Sequence, residues 1–165
     1  MKQEKSKMPF FTRDNAKIYY EDDGWGEPII AVHGLIENTT YWKDIAEDIT
    51  KKYRFIPMDM RGHGKTEVEG DSYGYDAETI GDDIEALADY LNIDKFHLLT
   101  HSTGGFAGVR YAMRNSGRLA SLILTDTASP RPCCPAILNL SGPTTINWHA
   151  ILKNLNGTRS SRICG

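Results

Sequence analysis

Thr100-His101-Ser102-Thr103-Gly104-Gly105 is the stretch on which the reading of this chain turns. It follows the short apolar run Phe96 to Leu99 and opens a helical pattern. A serine on such a strand-to-helix corner is forced into a strained backbone, which pushes its hydroxyl out of the sheet as a nucleophile. Strand and helix nearly touch there, so the residues two before and two after the serine should be small. Gly104 meets that demand, whereas Thr100 stands where glycine is expected, so four of the five positions of G-x-S-x-G match. Serines and glycines also crowd ordinary loops, where a serine often caps the helix that follows. The surroundings therefore decide.

Working outward, strand and helix patterns alternate from residue 8 to 128. Residues 8–13 and 17–21 read as strands about the turn residues Asp14-Asn15. Pro28 to Val32 is an apolar run of the kind buried on both faces. Asn38 can cap a helix running to about Lys51, with Trp42, Ile45 and Ile49 on one face. Tyr53 to Met58 returns as a strand, and residues 67–71 form an acidic surface loop. Asp76 can cap a second helix striped by Ile80, Ile84, Leu87 and Leu91. Strands over 95–100 and 121–125 flank a helix over 103–114. Such alternation predicts an α/β fold: a mostly parallel twisted sheet with helices on both faces, opened by an antiparallel hairpin. In such sheets ligands bind beyond the carboxyl ends of the strands. Three of those ends carry polar or glycine-rich turns, at His33-Gly34, Asp59 to Gly64 and Ser102.

Those turns carry a resemblance. His33-Gly34-Leu35, Asp59-Met60-Arg61-Gly62-His63-Gly64 and His101-Ser102-Thr103-Gly104-Gly105 resemble the signature turns of the α/β-hydrolase superfamily, in its serine-nucleophile esterase, lactonase and haloperoxidase-like branch. The likeness covers residues 8 to about 128. It implies that Ser102 is the nucleophile and that the N–H groups of Leu35 and Thr103 form the oxyanion hole. It also implies structural roles for His33, Gly34, Asp59, Arg61, Gly62, His63, Gly64 and Gly104, and it implies no cofactor and no metal. The expected substrate is a small ester, lactone or related acyl compound. The alternative is a catalytically inactive relative lacking the base, or one needing a partner chain.

In this family the acid and base follow the serine in chain order. Asp126, at the end of the last strand, is a candidate acid or else a turn or helix-capping aspartate. His149 is the only histidine downstream of Ser102 and completes a Ser102–Asp126–His149 order, although it sits on the polar flank of a tail helix expected over 146–155. A serine hydroxyl needs an adjacent base to be a good nucleophile. The chain is expected to be truncated after the sixth strand, which would leave Leu122–Leu124 as an open apolar edge prone to self-association.

Composition narrows the rest. The 165 residues suffice for about one domain, and a net charge of −3 argues against nucleic acid as a partner. No apolar stretch reaches the roughly 20 residues of a membrane span, and no signal-like segment follows the charged start, so a cytoplasmic protein is expected. Cys133, Cys134 and Cys164 form neither a disulfide framework nor a zinc pattern. Residues 1–7 read as a disordered lead, 8–128 as the core, and 129–165 as a divergent tail or partial cap.

Overall fold

In a computed structural model of the chain, residues 9–70, 74–127 and 136–139 are described. The order is β1 (Phe10–Arg13), β2 (Ala16–Tyr19), β3 (Asp23–Gly24), β4 (Glu27–Val32), α1 (Lys43–Thr50), β5 (Tyr53–Met58), β6 (Glu67–Val68), α2 (Ala77–Tyr90), β7 (Phe96–His101), α3 (Gly104–Asn115), β8 (Leu119–Thr125) and β9 (Ala136–Asn139). Six strands run β3-β5-β4-β7-β8-β9, with β5, β4, β7 and β8 parallel. The β1–β2 hairpin and β6 form a small antiparallel sheet, linked to the main one by a bridge between Tyr20 and Met58. This is the expected α/β architecture.

Period-two alternation sorts the sheet residues between two apolar layers. Ile30, Val32, Ile56, Met58, Leu98 and Leu122 pack with Ile84, Leu87 and Tyr111 of α2 and α3. Ile29, Ala31, Phe55, Leu99 and Ile123 pack with Trp42, Ile45 and Ile49. Both faces of the central strands are thus covered, which is why their sequences are continuously apolar. Among the described residues no helix is long and apolar enough to cross a membrane.

Helix starts follow the caps read from the sequence, with one adjustment. Asp76 accepts from the N–H groups of Glu78 and Thr79 at the head of α2. Asn38 instead heads a 3₁₀ turn, Thr39–Trp42, and α1 begins only at Lys43. Two adjacent β-branched residues and a tether from the Thr39 N–H to Asp59 Oδ1 (2.6 Å) tighten this first turn. The loop expected over 67–71 contributes β6, whose Glu67 and Val68 pair with Lys17 and Ala16.

The expectation of an open edge at Leu122–Leu124 is corrected. β9 pairs antiparallel along it, with Leu122 opposite Leu138 and Leu124 opposite Ala136, satisfying the backbone groups an edge strand would leave bare. The lead at 1–7, the helix at 146–155 with His149, and the three cysteines lie outside the described residues.

Candidate active site

The corner after β7 is strained as expected. Ser102 has φ +48, in the left-handed region that non-glycine residues rarely adopt. Its N–H donates to Thr125 O at 2.9 Å, which pins the corner to β8. Its carbonyl accepts from the Gly105 N–H at 3.0 Å and from Thr127 Oγ1 at 3.2 Å. A Cβ on Gly104 would lie 2.5 Å from His33 O and 2.8 Å from Val32 O, so helix and strand approach too closely for any side chain there. With its backbone fixed from both sides, the serine has no easy route out of the strained conformation.

Thr100, the departure from the motif, is accommodated one helical turn further on. Its side chain faces Gly108, where a Cβ would come within 2.9 Å of Thr100 Cγ2. The hydroxyl donates to Ile123 O at 3.2 Å. Smallness has moved from the strand to the helix. The sequence held that signal in the spacing of Gly104 and Gly108, but only the packing shows which residue Gly108 serves.

The other half of the site is the turn after β4. A Cβ on Gly34 would lie 3.0 Å from Ser102 Cβ, so this turn abuts the serine directly. Gly34 donates its N–H to Glu37 Oε2 at 2.7 Å. Among the described residues the N–H groups of Leu35 and Thr103 make no hydrogen bond, which leaves them available to a ligand. Leu35 and Ile36 are exposed, and Ile36 is itself left-handed at φ +58.

His33 braces the turn from beneath. Its Nδ1 donates to Gly34 O at 2.7 Å, and its Nε2 accepts from the Met60 N–H at 3.0 Å. Both bonds require the neutral ring, and burial lowers its pKa below the usual histidine value. The residues Asp59 to Gly64 form a rigid platform. Asp59 accepts from the N–H groups of Thr39 and Lys65, and Gly64, at φ +55, lies so close that a Cβ would overlap the carboxylate. Arg61 grips Asp83 bidentately at 2.7 and 2.9 Å, with both side chains almost wholly buried. His63 Nδ1 donates to Arg61 O at 2.9 Å, and Gly62 sits under the Tyr75 ring.

His101 does not bond to Ser102. Its ring stacks on Tyr41 with centroids 4.4 Å apart, Nδ1 lies 3.2 Å from Thr125 Oγ1, and Nε2 lies 3.5 Å from Glu37 Oε1. Asp126 has φ +50, is 86 % exposed and lies 3.9 Å from His101 Nδ1, with no bond to the serine. Among the described residues no side chain bonds to Ser102 Oγ, and no group of three or more His, Cys, Asp or Glu side chains is arranged to hold a metal ion. The sequence reading missed Glu37, Tyr41 and Asp83, whose roles depend on partners distant in the chain. A separate cleft beside α1, lined by Glu21, Asp23, Trp42, Glu47 and Phe55, includes none of the turn residues.

Comparison with known proteins agrees with this fold. The sequence profile described as the alpha/beta hydrolase fold matches residues 27–156. The chain is 37% identical over 121 residues to the non-heme chloroperoxidase CPO-A1 of Kitasatospora aureofaciens, covering 72% of this chain and 43% of that protein. It is 32% identical to the cis-3-alkyl-4-alkyloxetan-2-one decarboxylase of Shewanella oneidensis, covering 74% and 39%. The solved structure of Est816, an N-acyl homoserine lactone degrading enzyme, superposes with a TM-score of 0.69 at 25% identity, over 73% of this chain and 46% of that one. The chain thus spans less than half the length of each.

Proposed function

The chain belongs to the α/β-hydrolase fold family, and on that premise we propose that it is a serine hydrolase acting on small esters, lactones or related acyl compounds. Ser102 Oγ attacks the acyl carbon while a base takes its proton. The oxygen of the tetrahedral intermediate is held by the N–H groups of Leu35 and Thr103, and collapse expels the leaving group to give an acyl-enzyme. Water then attacks the acyl carbon and restores the serine. Backbone donors suit this work because they are fixed before charge develops. The observation that carries the reading is the left-handed Ser102 beside Gly34, with two unbonded N–H groups flanking it. Exposed Leu35 and Ile36 would line the site with apolar surface fitting an acyl chain.

The base is assigned by chain order alone, to His149, with Asp126 as its acid. The second reading is a catalytically inactive relative that lacks the base, or one completed by a partner chain.

A fluorophosphonate probe separates the two. An activated serine labels at Ser102, and Ser102→Ala abolishes the labelling. Folded protein that stays unlabelled overturns the hydrolase reading in favour of the second. Hydrolysis of a short p-nitrophenyl ester that survives His149→Ala removes His149 as the base.

A further inference from the structure

Glu37 takes no part in the chemistry above, yet its carboxylate joins the two halves of the site. Oε2 accepts from the Gly34 N–H at 2.7 Å, and Oε1 lies 3.5 Å from His101 Nε2. A Cβ on Gly34 would meet Glu37 Oε2 at 2.9 Å, His101 Cδ2 at 3.0 Å and Ser102 Cβ at 3.0 Å, so carboxylate, turn and nucleophile are packed against one another.

His101 is held beside this carboxylate. The Thr125 hydroxyl donates its proton to Thr100 O at 2.9 Å, so its oxygen can only accept from His101. Nδ1 therefore carries a proton, and Nε2 packs against Glu37 Oε1 at 3.5 Å as a contact rather than a hydrogen bond. Tyr41, stacked on the ring, fixes its plane.

The turn that Glu37 ties down is closed by a long backbone bond from the Glu37 N–H to Gly34 O at 3.4 Å, and it is strained. Ile36 is β-branched, left-handed and 92 % exposed, so packing does nothing to offset its backbone strain. Because the Gly34 N–H is committed to Glu37, the next donor along the turn is Leu35.

We propose that Glu37 is a positioning residue that clamps the strained 33–37 turn against the nucleophile corner and so aims the Leu35 N–H at the acyl oxygen. Its catalytic consequence rests on the hydrolase reading; its geometry does not. Without the clamp, Ile36 relaxes to an ordinary backbone conformation and swings Leu35 away.

Amide hydrogen exchange in the full chain tests the clamp, with Glu37→Ala and Glu37→Gln beside the parent protein. A glutamine oxygen can still accept from the Gly34 N–H, whereas alanine cannot. Glu37→Ala should speed exchange at Gly34 roughly tenfold or more, while amides of Ile56 and Leu98 in the sheet keep their rates. Glu37→Gln should keep most of the protection. The rate of fluorophosphonate labelling at Ser102 should fall in the same order. Unchanged exchange in Glu37→Ala overturns the proposal, as does a glutamine variant no better protected than alanine. If the parent serine never labels but exchange still follows the variants, the hydrolase reading fails and the clamp stands.

Discussion

Asp59 and Ser102 each stand just beyond a parallel strand, and each is followed two or five residues later by a glycine whose Cβ would collide with a neighbour. Around Asp59 the polar groups are paired. Its carboxylate takes two N–H donors, its carbonyl accepts from Thr66 Oγ1, and its own N–H donates to Tyr19 O. Around Ser102 the backbone is equally bound, but the hydroxyl is left without a partner among the described residues and the backbone is held at φ +48. The same devices, close glycines and left-handed residues, yield a brace in one place and a presented nucleophile in the other. The difference lies in whether the polar side chain at the strand end is used up by the fold.

Changes that break this comparison should act on stability at the brace and on reactivity at the corner. The largest effect is expected at the buried Arg61–Asp83 pair, which anchors the brace to α2. Asp83→Ala leaves the Arg61 guanidinium buried without its bidentate partner and should cost about 3–5 kcal/mol. Urea unfolding measures it, and a loss below about 1 kcal/mol would mean that the pair is dispensable.

His33 ties the brace to the turn after β4, and its response to pH comes next. Unfolded, its ring takes up a proton as pH falls through about 6.5. Folded, burial lowers its pKa, and the Met60 N–H already occupies Nε2. His97, also buried and lowered, acts in the same sense. The stability they contribute is complete above about pH 6.5 and is lost as pH drops through that value toward their folded pKa values, by at most about 1.4 kcal/mol per pH unit for each ring. Urea midpoints measured between pH 5 and 8 should show this decline, and His33→Gln should lessen it while leaving the share of His97.

The smallest effect has the opposite sign. Ser102→Gly removes the left-handed strain and should raise stability by about 1 kcal/mol while abolishing labelling by the fluorophosphonate. A destabilised Ser102→Gly would show that the corner is held by its side chain rather than by its backbone bonds.

Much of the fold could be read from the chain because parallel strands and amphipathic helices leave local periodic marks. The buried runs Ile29 to Val32 and Leu98 to Leu99, and the stripe Ile80, Ile84 and Leu87, fall where periodicity puts them. The exceptions are short or non-local. β6 is only two residues and forms because β2 lies beside it. β9 covers an edge expected to be bare, and nothing in its four residues names β8 as a partner. At the site, Ser102, Gly104, His33 and the Asp59–Gly64 turn were legible because their roles are set by backbone shape within a few residues.

The sequence by itself determined the serine corner, the glycines it requires and the alternation of strands and helices that brings three turns to one end of a parallel sheet, since each depends on local conformation and on handed connections. Only the tertiary structure decided that Gly108 makes room for Thr100, that Asp83 neutralises Arg61, and that Glu37 spans from Gly34 to His101. Those contacts join residues tens of positions apart, or side chains whose direction no pattern fixes. They exist only once the sheet has closed the distance between them.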